Sequence, residues 1–179
     1  MAHPFEILGL APSFALDPNV LEQRQRELNR ALHPDRHAGK SPAERRQALG
    51  RAMDVNLAYR TLRDPASRAE ALFALLGAPS TRESTISDPV LLMEMMEQRE
   101  ALEEARQAGN RTQLEAIGRS MAEREQLVLG KLAAAFAPLL TGSPSAEARE
   151  AQLASARQLL AELRYVRRFA EEIAAFEDD

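Results

Sequence analysis

Apolar residues recur at helical spacing along nearly the whole chain, and no stretch shows the strict alternation that is typical of a strand. If residues 18–32 form a helix, in which each residue turns 100° from the one before, the apolar residues share one arc of its surface. They are Val20, Leu21, Leu28, Ala31 and Leu32. Arg26 and Arg30 lie on the opposite arc, which predicts an amphipathic helix with a basic outer face. Arg24 falls inside the apolar arc, so it must either reach the edge or find a carboxylate partner.

Capping residues and prolines predict where the first helices begin. Asp17 directly precedes Pro18, the arrangement of an N-cap followed by proline at the first helical position. Ser41, with Glu44 three residues later, has the spacing of a capping box. These signals predict two helices of useful length, one on each side of the segment "HPDRHAGK".

Capping residues, prolines and glycines also divide the rest of the chain into predicted elements. The pair Asp64 and Pro65 predicts the end of one helix and the start of a shorter one, which Gly77 stops. Residues 77–88, "GAPSTRESTISD", are rich in small and polar residues and predict a linker. Residues 1–76 are therefore expected to form one domain.

Three long helical stretches follow the linker, and short loops join them. This arrangement predicts an antiparallel three-helix bundle over 89–179. The first begins at the Asp88 cap and ends near Gly109. The second is predicted to open on Thr112, with Glu115 in capping-box spacing, and to end near Pro138. The fold class is all-α, and we expect the two domains to form a bent, two-armed molecule.

Composition and charge limit the kinds of partner that the chain is expected to bind. The formal charge is −4 without a long basic run, which argues against nucleic acid as the main partner. Residues 1–76 hold 11 Lys and Arg against 9 Asp and Glu, so the first domain is the one suited to an acidic partner. The start "MAHPFEILGL" is not a signal peptide and no later stretch reaches membrane-spanning length, so we expect no membrane partner and a cytoplasmic location. The absence of Cys excludes disulfides and thiolate ligands.

His33, Pro34 and Asp35 directly follow the basic helix and are predicted to sit at a loop apex, because proline ends a helix. Taken alone, the tripeptide allows several interpretations. His33 and Asp35 can form a catalytic dyad, although a third group at recognisable spacing is missing. His33 can join His3 and His37 in a metal site, or the tripeptide can be a simple helix stop.

The surrounding residues resemble a known family. The basic helix, the tripeptide, the helix ending "VNLAYRTLRDP" and the early "FEILGL" are similar, in order and spacing, to the J domain of DnaJ-type co-chaperones. The stretches "DPASRAEALFALLG" and "DPVLLMEMMEQREALEE" resemble the HscB branch, which is dedicated to iron–sulfur cluster assembly. Leu32 and Gln25 stand where J domains usually carry aromatics, and Arg36 replaces a common lysine.

The resemblance implies a function in which this chain is not an enzyme and needs no cofactor. J domains bind an ATP-bound chaperone of the HscA/DnaK class and stimulate its ATPase. The resemblance places that contact at His33, Pro34 and Asp35, with Arg26 and Arg30 steering toward an acidic groove. Without Cys, the chain is not expected to hold a cluster itself.

The second domain is expected to carry the client. Leu91, Met95, Leu102 and Ala105 share the core arc of the helix that begins at Pro89. Outside that arc lies an apolar patch formed by Leu92, Met93 and Met96; periodicity leaves open whether it faces a partner or packs within the protein. The resemblance implies an IscU-like iron–sulfur scaffold protein as the ligand of Leu92, Met93, Met96, Glu97, Arg99, Glu100 and Tyr165.

Three other hypotheses remain open on the sequence. One is a J-domain co-chaperone that serves general clients, and another is a helical adaptor in which the tripeptide is only a loop. The third is a His-dependent metalloenzyme. Weak self-association is also left open.

Overall fold

The structure is a computed structural model that describes residues 2–37, 39–79 and 88–177. The described residues form helices without a strand, as the sequence predicts. The helices are α1 Pro4–Leu8, α2 Pro18–Ala31, α3 Pro42–Arg63, α4 Pro65–Leu75, α5 Pro89–Gln107, α6 Arg111–Thr141 and α7 Ala146–Glu177, with a 3₁₀ turn at Pro34–His37. None of these helices is long and apolar enough to cross a bilayer.

The chain divides into two compact units, Met1–Ser80 with Leu140–Gly142, and Thr81–Leu139 with Ser143–Asp179. Of the linker predicted at 77–88, residues 80–87 lie outside the part of the chain that the structure describes. Gly77 has the left-handed φ of 67° and its amide bonds back to the Ala74 carbonyl at 3.1 Å, so it ends α4 as expected.

Capping chemistry sets the helix starts. The Asp17 carboxylate accepts from the Asn19 amide at 2.8 Å, and Ser41 and Glu44 form the reciprocal capping box. Asp64 ends α3 and also caps α4, because its carboxylate accepts from the Ser67 amide at 2.8 Å. The two-helix arrangement around the tripeptide is therefore present as predicted.

The first unit packs α1, α2 and α4 around α3. Its core contains Phe5, Leu8, Phe14, Leu21, Val55, Ala58, Leu62, Leu72 and Phe73, all nearly inaccessible to solvent. The predicted inner arc of α2 is only partly correct, since Leu21 is buried but Val20 and Ala31 are exposed. The buried arc is narrower because polar residues also face α3: Gln25 and Asn29 both donate to the Asn56 side-chain oxygen at 3.0 Å.

Arg24 satisfies both alternatives that the sequence left open. Its Nε donates to the Leu8 carbonyl at 3.2 Å, and its Nη1 pairs with Glu27 at 3.0 Å. The side chain thus reaches across to the end of α1 and also finds a carboxylate. A glycine is favoured beside it, because Gly9 has a left-handed φ of 63° and a Cβ there would lie 2.7 Å from Nη2 of Arg24, which would then have to move.

Replacing Gly9 by Ala is expected to destabilise the first unit by about 2 kcal/mol, from the left-handed backbone together with displacement of Arg24. Gly77→Ala is the matched control, since Gly77 shares the left-handed φ but has nothing within 4 Å of the added Cβ. Urea unfolding measures the free energy of unfolding of both variants. An equal loss for the two variants contradicts a specific role for the Arg24 contact.

The second unit is an antiparallel three-helix bundle, as the sequence predicts. Its core is shared by all three helices and contains Leu102, Ala105, Ile117, Met121, Val166, Phe169 and Ile173. Arg124 of α6 bonds Glu94 near the start of α5, and Gly118 lies beside Ile173 near the end of α7. The alternating helix directions follow from these pairings.

Both predicted ends of α6 are wrong. The helix begins at Arg111 because Asn110, and not Thr112, accepts from the Gln113 amide at 3.2 Å; asparagine is the stronger N-cap residue. The helix also passes through Pro138 and ends at Thr141. Proline removes the bond to the carbonyl of Ala134, but Ala134 is exposed and water can satisfy it, while Phe136 and Leu139 are buried on either side.

Candidate functional site

The tripeptide His33, Pro34 and Asp35 forms an exposed turn between α2 and α3. Leu32 closes α2, and the 3₁₀ turn begins immediately at Pro34, so proline fixes the direction in which the chain leaves the helix. The Asp35 amide donates to Nδ1 of His33 at 3.3 Å.

The Asp35 carboxylate is almost entirely exposed and lies 3.5 Å from Nδ1 of His33. The turn thus presents a carboxylate acceptor and an imidazole ring side by side. Their relative position is set by backbone contacts within a three-residue stretch. Such an arrangement suits charge-assisted hydrogen bonds to a protein surface.

A basic outer face on α2 leads to this turn. Arg26 and Arg30 are both exposed, and Arg26 pairs with Glu22 at 3.0 Å, one helical turn earlier. Arg30 stands in the last turn of α2, next to the tripeptide. Nearby, hydrogen bonds from Gln23 and Arg24 lower the pKa of the Glu27 carboxyl. The sequence prediction of an outward-facing basic arc on α2 agrees with this geometry.

The sequence reasoning missed an apolar strip on α3. Leu49, Met53 and Leu57 recur every four residues and are all more than half exposed. Their spacing was visible in the sequence, since residues four apart share one helix face.

The apolar patch of α5, defined as Leu92, Met93 and Met96, faces solvent. Leu92 is 43% exposed, and Met93 and Met96 are each 64% exposed, which decides the question that periodicity left open. Met95 between them is buried at 6% and belongs to the core face, together with Leu102 and Ala105. Leu91, the fourth residue predicted for that face, is only partly buried.

Charged residues surround the α5 patch. Glu97 and Glu100 are exposed on the same helix. Arg99 is also exposed, but its guanidinium is held by Glu172 of α7 at 3.0 Å. An apolar centre with a charged rim is the organisation of a protein-binding surface.

Tyr165 contacts α5 from the side of the bundle core. Its hydroxyl donates to the Met95 carbonyl at 3.1 Å, and its ring stacks on Phe169 with a centroid distance of 5.9 Å. Burial raises the pKa of this phenol. Tyr165 therefore supports α5 beneath Met95, whereas its contribution to a partner surface stays a prediction.

Arg124 joins all three helices of the second unit beside Tyr165. It donates to Glu162 of α7 at 2.8 Å and to Glu94 of α5 at 3.0 Å. Burial acts to lower the pKa of Arg124, but the bonds and charges of Glu162 and Glu94 raise it overall. The helix that carries the α5 patch is thus anchored by Arg124, by Tyr165 and by the pairing of Arg99 with Glu172.

The metal interpretation of the histidines finds no cluster to support it. Within the described ranges, no group of three His, Asp or Glu side chains is close enough to hold an ion. Nε2 of His3 instead lies 2.9 Å from the Ala71 carbonyl. The side chain of His37 lies outside what the structure describes.

Comparison with known proteins places both units in one family. Residues 87–174 match the family model described as the HSCB C-terminal oligomerisation domain. A co-chaperone protein HscB homolog from Shewanella frigidimarina is 34% identical over 176 residues, which cover 97% of this chain and 96% of that protein. A homolog of the same description from Shewanella loihica is 48% identical over 101 residues, 56% of this chain, and the alignment spans just over half of that relative, 58%.

A solved structure shows the same likeness. Chaperone HscB from Vibrio cholerae superposes with a TM-score of 0.76 at 31% identity, covering 99% of this chain and 98% of that chain. The similarity therefore extends over both units and is not confined to the second.

Proposed function

This chain belongs to the HscB family, the J-type co-chaperones of iron–sulfur cluster assembly, and from that premise we propose that it stimulates the ATPase of an HscA/DnaK-class chaperone and delivers an IscU-like scaffold protein to it. The delivery serves maturation and transfer of the cluster. The relatives are co-chaperones, so the chemical step belongs to the chaperone partner and not to this chain.

One observation carries the proposal: each unit exposes a surface built for a protein partner. The first unit presents the tripeptide turn beside Arg26 and Arg30. The second unit presents the α5 patch. Two separate binding surfaces on one chain suit an adaptor that brings two proteins together.

The two surfaces differ in chemistry, which supports different partners. The turn and the α2 arginines are polar and charged, so they favour an acidic groove and a contact that salt weakens. The α5 patch is apolar at its centre, and its methionines adapt their shape to the partner. We therefore assign the chaperone to the first unit and the scaffold to the second.

The decisive experiment is an ATPase assay of a purified HscA-class chaperone, run with this chain, with an IscU-like scaffold, and with both. We expect stimulation by this chain alone and a larger, more than additive stimulation when the scaffold is present. A rate that this chain does not change contradicts the co-chaperone function. Stimulation without synergy supports instead a J-domain co-chaperone of general clients.

Truncating the α5 patch is expected to weaken scaffold binding. The double variant Met93→Ala with Met96→Ala removes two apolar side chains from the interface centre, and the dissociation constant should rise about tenfold to a hundredfold. Isothermal titration calorimetry with the scaffold measures this change.

The matched control is Leu127→Ala, which truncates a 58% exposed apolar residue on α6 of the same unit. It should leave scaffold binding unchanged. If the double variant binds as tightly as the unaltered chain, the assignment of the α5 patch to the scaffold is wrong.

A further inference from the structure

The methionines of the described chain divide sharply by exposure. Met93 and Met96 are each 64% exposed and Met53 is 65% exposed, whereas Met95 is 6% and Met121 is 3% exposed. Solvent therefore reaches three thioethers and is excluded from two. Two of the three exposed thioethers form most of the α5 patch.

Helix geometry concentrates both exposed sulfurs of α5 on one surface. Met93 and Met96 are three residues apart and share a face beside Leu92. Met95 points instead into the core, where its carbonyl accepts the Tyr165 hydroxyl. A reagent in solution can thus alter the patch while leaving the packing beneath it intact.

We propose that Met93 and Met96 are an oxidation site at which peroxide switches off the α5 patch, an inference that rests on the proposed scaffold-binding function. In each case the thioether sulfur attacks one oxygen of the peroxide. A sulfur–oxygen bond forms as the oxygen–oxygen bond breaks, and the departing hydroxide takes the proton of the oxygen now bound to sulfur to give water. The sulfur loses two electrons to become a sulfoxide, and the peroxide is reduced.

The product changes the chemistry of the surface. A sulfoxide is polar and accepts hydrogen bonds, so docking onto an apolar partner must strip it of water. Two such groups at the interface centre should weaken binding about tenfold or more. The chain has no Cys, so no thiol of its own competes for the oxidant. Methionine sulfoxide reductases reverse the product, which makes the switch recoverable.

The experiment treats the full chain with limiting hydrogen peroxide and follows each methionine by peptide mass spectrometry. Met93, Met96 and Met53 should oxidise before Met95 and Met121. Scaffold affinity is then measured by calorimetry on untreated chain, on oxidised chain, and after both epimer-specific methionine sulfoxide reductases. We expect at least about a tenfold loss on oxidation and its recovery on repair.

Leucine variants distinguish the effect of oxidising the α5 patch from that of oxidising the other exposed methionine. Met93→Leu with Met96→Leu keeps the apolar volume and removes the sulfur. Whatever scaffold affinity this variant has before treatment, peroxide should not change it. Met53→Leu, which removes the exposed sulfur of the other unit, should retain the full peroxide response.

Failure of the switch and failure of the function give different results. If untreated chain does not bind the scaffold, the proposed function is wrong, and the proposed switch, which depends on that function, is wrong too. If untreated chain binds, and chain oxidised at both Met93 and Met96 binds equally well, only the switch is wrong. Oxidation of Met95 or Met121 before the exposed pair also overturns it.

Discussion

Replacing His33 by Gln, or Asp35 by Asn, is expected to lower stimulation of the chaperone ATPase by about tenfold or more, while leaving scaffold binding unchanged. Both side chains project from an exposed turn. In the proposed contact with the chaperone, each change removes a charge-assisted or directional hydrogen bond without disturbing a buried contact. Loss of one such bond is worth a factor of about ten or more in coupling.

The turn explains why these residues act together. The Asp35 amide fixes the His33 ring through Nδ1, and Pro34 sets the path of the backbone between them. Gln keeps a donor but does not reproduce the imidazole geometry, and Asn keeps the shape but loses the charge of the carboxylate. Either substitution therefore leaves the fold intact and changes only the side-chain groups that the turn presents to a partner.

Asp54→Asn is the matched control, because Asp54 is an exposed carboxylate on α3 of the same unit. It should retain stimulation. Single-turnover ATPase rates at several salt concentrations measure the effect, and the stimulation by the unaltered chain should fall as salt screens Arg26 and Arg30. Equal stimulation by the tripeptide variants and by Asp54→Asn contradicts the assignment of the turn to the chaperone.

Local chemistry explains which helix ends could be predicted from the sequence. Asp17, Ser41, Asp64 and Asp88 each accept from amides two or three residues beyond them, so a short window of sequence contains the whole interaction. The predicted start of α6 was wrong because two capping patterns overlap there. Thr112 and Glu115 have the spacing of a capping box, but Asn110, the stronger N-cap residue, accepts from the Gln113 amide.

Contacts between distant residues explain what could not be predicted. Gln25 replaces a usual aromatic, and only the structure shows that it instead joins Asn29 on the Asn56 side chain, 31 positions away. Periodicity likewise placed Val20 in the core, but its side chain is 46% exposed. For the α5 patch, periodicity gave the correct face but not its exposure, because exposure depends on where α6 and α7 lie.

Replacing Arg68 by Met is expected to destabilise the first unit by about 3 kcal/mol, because several backbone carbonyls lose their donor at once. Nη1 of Arg68 donates to the Phe14 carbonyl and Nε to the Leu62 carbonyl, both at 2.6 Å, and Nη2 reaches the Arg63 carbonyl at 3.3 Å. Leu62 and Arg63 lie in the last turn of α3, where carbonyls have no partner within the helix.

The Arg68 guanidinium is thus a C-terminal cap of α3 that also ties down the segment before α2. It lies over the Phe14 ring at 5.5 Å, and burial lowers its pKa. Arg68→Lys should recover only part of the loss, because a single ammonium cannot span three carbonyls as a planar guanidinium does. Arg60→Met is the matched control, since Arg60 is exposed and only reaches the Asn56 carbonyl of its own helix at 3.4 Å.

Hydrogen exchange followed by mass spectrometry distinguishes the two units in this test. In Arg68→Met, amides of α2, α3 and α4 should exchange faster, while those of α5, α6 and α7 keep their rates, because the lost bonds all lie in the first unit. ATPase stimulation should fall with the folded fraction of the first unit, and scaffold binding should persist. A stability loss no larger than that of Arg60→Met, or faster exchange confined to the second unit, contradicts the capping role of Arg68.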